Sequence, residues 1–417
     1  MTRLSVVDEM FLRSHRGLGT PIAMQGLWRT SVPFDADALA AVHTALATGP
    51  LGRRVVRSRI PGARPRWRVD AEAYPLTYTE APLPADRLIE WADARAPKLD
   101  PTTGPGWRLS ATRLDDGGTL VSLVCSHVLA DARGLVLATQ QALTGRQPVA
   151  PEPDTSDWAD ARRQWGIVGK GTARAIRGLV AHPERRAELQ QAAPAARGML
   201  HAQARSAIVL VDAAAWDRVA AERGGSANSL FVALVVGILR SSGWTDDTIE
   251  VALPVDTRAD DTVGNAMAMA EATVSQADSL TDIRRICRDA YAHPMTSPAG
   301  FPEELLQVLP ARLAHKLAAG AGERDVLCSN IGTLPPLLAD VGGHPTTGIA
   351  TRAIHPYIAP RHWNLLRTKL SGYLNRTGDR YCLALVSLDP ANIASNEQLR
   401  ELACAELGTW DLIATAW

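Results

Sequence analysis

Residues 119–134 read Thr119-Leu-Val-Ser-Leu-Val-Cys-Ser-His127-Val-Leu-Ala-Asp131-Ala-Arg-Gly134, an apolar run that breaks into a short polar cluster. The run has the length and side chains of a buried strand. Asp115-Asp-Gly-Gly118 ahead of it is hairpin-turn chemistry, and Trp107 to Leu114 alternates like a partner strand. Beyond Asp131, Leu135, Ala138, Ala142 and Leu143 recur at helical spacing, and Thr144-Gly145 marks a stop. His127 therefore sits where a buried strand ends, with Asp131 in the turn that opens a helix. A histidine fixed there can lose its proton near neutral pH and act as a general base. A histidine closing an apolar strand is more often a hydrogen-bonded core residue, so the pentapeptide alone leaves both readings open.

The rest of the chain sets bounds on the answer. Its 417 residues imply two or three domains or one large pseudo-symmetric unit, and 46% hydrophobic residues suffice for a packed core. Forty-four basic residues balance forty-four acidic ones, so nothing favours a nucleic-acid partner. Cys125, Cys287, Cys328, Cys382 and Cys404 are scattered and form no C-x-x-C pair. That argues against a disulfide framework or zinc site and fits a reducing cytoplasm. The first residues carry charge inside any would-be apolar core and read as no signal peptide. The longest apolar run, Leu230 to Leu239, is about half the ~20 residues needed to cross a bilayer and reads as a buried helix. No nucleophile elbow, zinc-protease motif, phosphate loop or dinucleotide fingerprint occurs, and no histidines cluster at metal-ligand spacing. Neither a metal nor a resident cofactor is expected.

Three segments emerge along the chain. In residues 1–157, a strand at Ile22–Trp28, a helix capped by Asp35, a strand–turn–strand over 54–68 and a helix over 84–95 lead into the central pair, an α/β alternation. Residues 158–205 are helical in pattern and basic: Arg162, Arg163, Lys170, Arg174, Arg177, Arg185, Arg186, Arg197 and Arg205 face few acids. They read as a solvated linker, or as a docking face for an acidic carrier protein or an anionic membrane surface. Residues 206–417 repeat the α/β plan, with strands near 207–211, 248–255 and 326–331 and a hairpin pairing 368–374 with 381–387. Helices are expected over 213–223, 226–239, 282–292, 310–321 and 394–407.

His127-Val-Leu-Ala-Asp131 at a strand-to-helix turn resembles the active-site motif of the chloramphenicol-acetyltransferase-like superfamily. That group includes condensation domains of peptide synthetases, polyketide-associated acyltransferases and bacterial wax ester synthase/diacylglycerol acyltransferases. Other segments agree in order. Leu4 to Leu12 with Thr20 to Met24 resembles the opening of the wax-synthase group. Val56-Arg57-Ser-Arg-Ile60 with Pro65-Arg-Trp67 resembles its arginine segment, and Trp107 falls where that group carries Pro-Leu-Trp. Asn228-Ser229 resembles its Asn-Asp helix, Leu253 to Arg258 with Gly264-Asn265 the strand and loop that follow, and Ser329-Asn330 a segment near the domain crossover. The usual motif is His-His-x-x-x-Asp-Gly; here Ser126 replaces the first histidine and Ala132 the glycine.

The resemblance implies two α/β lobes arranged as a pseudo-dimer, with His127 on a tunnel at their interface. It implies transfer of an acyl group from a CoA or carrier-protein thioester to a small alcohol or amine, with His127 as general base. It makes Asp131 structural, paired with Arg57, and makes Ser126, Trp107, Asn228, Ser329 and Asn330 candidates for lining the tunnel or stabilising the oxyanion. As the alternative, the resemblance admits a non-catalytic relative that binds a carrier protein or partner enzyme: the lost first histidine and glycine favour it, whereas the kept His127 favours catalysis. A thiolate at Cys125 relayed by His127 is a third, less favoured chemistry.

Overall fold

The computed structural model describes residues 3–15, 20–96, 99–146, 156–182, 203–295, 297, 300–318, 322–359, 362–363 and 366–417. Among them, six strands form one sheet, in the order β11 (Asp340–Val341), β12 (His344–Ile354), β1 (Ala23–Thr30), β6 (Thr119–Ser126), β5 (Trp107–Leu114) and β4 (Thr77–Leu83). Seven form a second, in the order β15 (Ala414–Ala416), β7 (Arg205–Asp212), β14 (Arg380–Ser387), β13 (Leu370–Thr377), β10 (Val326–Thr333), β8 (Thr248–Asp256) and β9 (Met267–Ser275). A ribbon of β2 (Arg53–Val56) and β3 (Arg66–Val69) stands apart. The molecule is therefore two α/β lobes, as expected.

The opening stretch folds as its pattern dictates. All eight residues of β6 are buried, and its hairpin with β5 pairs Trp107 with Cys125 and Arg113 with Thr119. Gly117 takes the positive φ of +90° that the turn requires. Helix α4 (Ala132–Thr144) starts at Asp131, whose carboxylate caps it by accepting from the Gly134 N–H, and stops at Gly145 with φ +63°. Helix α2 (Ala36–Thr48), capped by Asp35, packs against α4.

In the second lobe, helix α7 (Ala227–Ser241) is apolar nearly all round and lies buried, which is why it reads as the most hydrophobic helix. Helices α6 (Ala213–Glu222), α8 (Leu280–Ala292) and α11 (Asn396–Thr409) surround it. Strand β7 is buried on both faces: Ala207, Val209 and Val211 join the core around α7, whereas Ile208 and Leu210 join the core of the first lobe. The second sheet is thus sandwiched between its own helices and the first lobe.

Two strands, β11 and β12, depart from a division at residue 206. β12 leaves the second half of the chain and pairs antiparallel with β1, from Ala23 opposite Ile354 to Thr30 opposite Thr346, so residues 340–354 belong to the first sheet. The basic segment also divides. Residues 157–181 form one helix, α5 (Asp157–Ala181), while Arg185, Arg186 and Arg197 lie outside the described residues.

The lobes are joined by an ion pair. Asp131 Oδ1 lies 2.7 Å from Arg258 Nη2, with both side chains buried, and Asp131 Oδ2 accepts from the Ala266 N–H at 3.1 Å. Arg258 also donates to the carbonyls of Thr262 and Gly264 in the loop after β8. The expected Asp131–Arg57 pair is not formed: Arg57 is exposed, and the arginine comes from the second lobe. Gly134 permits the close approach, since a Cβ there would fall 2.8 Å from the Gly264 carbonyl oxygen.

Removing one partner of a buried pair costs roughly 3–5 kcal/mol, because the other charge is stranded. Arg258→Met strands the Asp131 carboxylate and should therefore lower the denaturation midpoint strongly; Asp131→Ala leaves Arg258 its Asp256 partner at 2.8 Å and should lower it through the lost inter-lobe contact and α4 cap. Arg57→Ala should leave it unchanged. Chemical denaturation of the three variants checks the assignment.

Candidate active site

His127 follows β6 directly, its N–H donating to the Ile22 carbonyl at 3.0 Å, and its side chain is 7% exposed. Its ring stacks on Phe11, with centroids 3.7 Å apart and planes 16° from parallel. Phe11 belongs to helix α1 (Val6–Arg13), which begins with a reciprocal cap: Ser5 accepts from the Asp8 N–H, and the Asp8 carboxylate accepts from the Ser5 N–H. Asp8, Phe11 and His15 follow at intervals of three and four and so share one face. Each reaches the neighbourhood of residues 126–127.

The decisive contact is through Asn265, on the loop that Arg258 holds. Its Nδ2 donates to Asp8 Oδ1 at 2.8 Å and to the His127 carbonyl at 2.8 Å. Both are acceptors, so the amide has one sensible orientation, with its oxygen turned to His127 Nδ1 at 3.1 Å. An amide oxygen only accepts, so Nδ1 carries the proton and Nε2 carries the lone pair. Burial lowers the His127 pKa; the carboxylate of Asp131 opposes this without reversing it. The ring is therefore neutral at pH 7, with a free basic nitrogen.

Two further imidazoles flank it. His15 Nε2 lies 2.9 Å from Ser126 Oγ. The same oxygen accepts from the Val128 N–H at 3.3 Å, so the Ser126 hydroxyl is held between the backbone and His15. His355 follows β12, its Nδ1 buried and without a partner among the described residues. Burial, with repulsion from His127, pushes its pKa down to about 4. Burial depresses His15 as well.

The other sequence candidates fall into two groups. Ser126 is fully buried beside the site, as the hydrogen-bond partner of His15. Trp107 is 1% exposed and stacks obliquely on His43 in the core, so it lines no opening. Asn228 donates to the Tyr291 hydroxyl and accepts from Asn330, joining α7 to β10; neither asparagine touches His127 among the described residues. Ser329 is half-buried on β10. Cys125 is fully buried, and burial raises its thiol pKa far from the neutral range, which removes it as a thiolate nucleophile. The residues that pattern reading missed are Asp8, Phe11, His15, Asn265, Arg258 and His355. Four lay within quoted segments without a role, since nothing in spacing reveals which distant loop closes on a strand end.

Arg53, four residues before Arg57, does approach the site. It donates to the Leu129 carbonyl at 2.8 Å and the Val263 carbonyl at 3.3 Å, and its guanidinium lies 4.2 Å from the Trp67 ring centroid.

With this geometry established, solved structures provide the comparison. The first condensation domain of the calcium-dependent antibiotic synthetase, in complex with a substrate analogue, superposes with a TM-score of 0.62 at 16% identity, over 98% of this chain and 95% of that one. The fold is the condensation-domain fold. The wax ester synthase/diacylglycerol acyltransferase from Marinobacter aquaeolei VT8 gives a TM-score of 0.59 at 16% identity, covering 98% of this chain and 99% of that one. The starter condensation domain of rhizomide synthetase, in complex with C8-CoA and Leu-SNAC, gives 0.57 at 14%, over 98% and 93%. No family model matches the sequence, and no curated protein does.

The three depressed histidines carry a pH signature. A histidine harder to protonate folded than unfolded binds fewer protons in the native state, so stability rises with pH across its window. Its contribution is complete above the ordinary value of ~6.5 and is lost as pH falls toward the folded pKa. For His355 that window ends at about 4. Melting temperature should fall between these limits, and His355→Gln should flatten the slope. An identical slope in the variant would place His355 outside the buried cluster.

Proposed function

We propose that this protein is an acyltransferase that moves an acyl group from a CoA or carrier-protein thioester to an alcohol or amine. The observation that carries this reading is the chain Asp8–Asn265–His127, which fixes the imidazole and leaves Nε2 as a base. The fold supports it, because the proteins that share it include a wax ester synthase and condensation domains. The chemistry is direct transfer. The acceptor oxygen or nitrogen attacks the thioester carbonyl carbon while His127 Nε2 takes its proton. The tetrahedral adduct then expels the thiolate, which recovers that proton from His127. The product is an ester or an amide plus free thiol, and no acyl-enzyme is required. The two substrates would approach through a tunnel between the lobes, from opposite sides. Asp131 and Arg258 would hold the loop that carries Asn265 and take no part in proton transfer.

His127→Ala should lower the rate by ~10²–10⁴, the usual worth of a positioned base. Asn265→Ala should cost less, because the base remains while its tautomer and aim are released. In wild type the rate should fall on the acid side as His127 protonates, and that limb should vanish in His127→Ala. The assay offers a panel of acyl-CoA and carrier-loaded donors to alcohol and amine acceptors, with wild type and variants in parallel. Equal turnover in wild type and His127→Ala would remove His127 from the mechanism. No transfer from any donor, with retained binding of a carrier protein, would favour a recruiting domain instead.

A further inference from the structure

Helix α5 presents an outward face that the site does not use. Asp160, Ala161, Gln164, Val168 and Ala175 are its buried residues and lie on one side of the helix. On a flank roughly 110° round the helix, Trp158, Trp165, Ile176 and Val180 are 68%, 49%, 51% and 69% exposed. They stand at i, i+7, i+18 and i+22, which at 100° per residue falls within one stripe. Trp165 rests one edge on the β2–β3 turn, its indole N–H donating to the Pro61 carbonyl at 3.4 Å, and offers the rest of its ring to solvent. Beside the stripe lie Arg162, Arg163, Lys170, Arg174 and Arg177, all exposed. Residues 161–181 contain no acidic residue, and none of the five cations is in an ion pair among the described residues.

Surface arginines on a soluble linker ordinarily alternate with acids, and exposed tryptophans are ordinarily covered. Among the described residues, a cationic strip without ion pairs runs alongside an exposed aromatic and aliphatic strip, over a helix of 25 residues. An acidic carrier protein would use the cations and leave the tryptophans and Val180 in water. A bilayer interface uses both, with apolar side chains entering the headgroup boundary, indoles at the polar edge and cations against anionic lipid. The helix is anchored to the first lobe by Asp157 to Arg3 at 2.6 Å and by Asp160 to Arg64 at 2.8 Å, and packs on α9 (Leu305–Val308) of the second. A surface bound there would hold the whole molecule in one orientation. Neighbouring α10 (Ala311–Ala318), which packs on α9, exposes Leu313 and Leu317 as well.

The geometry points to α5 as a docking face for an anionic lipid surface. Neither strip touches His127, so the inference stands independently of the proposed reaction. Flotation of the full chain with vesicles tests it, using phosphatidylcholine alone and an equal mixture with phosphatidylglycerol. The protein should float with the anionic vesicles only, and the bound fraction should fall as salt rises and the screening length drops below the ~10 Å of 0.1 M. Each basic residue near such a surface is worth roughly fivefold in partition, so Arg174→Glu with Arg177→Glu should weaken binding roughly twenty-five-fold or more. Ile176→Ser with Val180→Ser should weaken it too, at unchanged charge. All four positions are exposed, so the melting temperature should not move. Absence from every vesicle fraction overturns the inference. So does binding that the apolar pair leaves untouched, or charge reversal that only weakens binding to an acidic carrier protein.

Discussion

The Asp131–Arg258 pair is the constraint on which the rest of this molecule depends. One carboxylate caps α4, neutralises a buried guanidinium and accepts a backbone N–H from the opposite lobe. Arg258 is meanwhile bound to the carbonyls of its own loop, so loop and charge move as a unit. Pairing the charges therefore delivers Asn265, one residue beyond Gly264, to the imidazole that precedes Asp131 by four. A buried ion pair is a poor source of net stability, because desolvation consumes much of the attraction. Its value here is positional: any other docking of the lobes leaves the Asp131 carboxylate without its cation, while Arg258 keeps only Asp256 of its own lobe, at 2.8 Å.

The site is correspondingly non-local. Residues 8–15 supply its wall, 126–131 its base, 258–266 the clamp and 355 a further imidazole, and only the fold brings them together. β12 matters for the same reason. By pairing with β1 beside β6, it carries His355 from the second half of the chain to the end of the first sheet. Arg352 on that strand is fully buried and paired with Asp93 at 2.6 Å and Gln25 at 2.8 Å. The crossing strand is thus locked by charge as well as by its ladder, since slipping by one residue would strand that guanidinium.

Local patterns were legible because local physics determines them. The β5–β6 hairpin, the Asp131 cap, the Gly145 stop and the buried α7 follow from turn chemistry, capping and periodicity. So does the strand-end position of His127. Strand β12 was not legible: His344-Pro-Thr-Thr-Gly-Ile-Ala-Thr-Arg-Ala-Ile354 has polar residues on buried positions, satisfied only by distant partners. The partner of Asp131 was misassigned for a related reason. Arg57 lies in an arginine-rich segment that resembles the family's, yet a pair across lobes is chosen by which guanidinium is already tied to the facing loop. Arg258 was in view, in the segment from Leu253, without any spacing to mark it.

The altered motif can now be weighed physically. Ala132 stands at the first helical position of α4, where φ is negative and a methyl group is no burden. Ser229, in place of an aspartate, makes the reciprocal cap with Ser226 that α7 needs. Ser126 is fully buried and hydrogen-bonded on both sides, to the Val128 N–H and to His15. That contact puts an imidazole next to position 126, where the related motif carries its first histidine, but brings it in from the N-terminal helix. None of the three changes touches the contacts among Asp8, Asn265 and His127, or the ion pair that holds them. Each change is locally satisfied, so none of them disturbs the geometry that the proposed base requires.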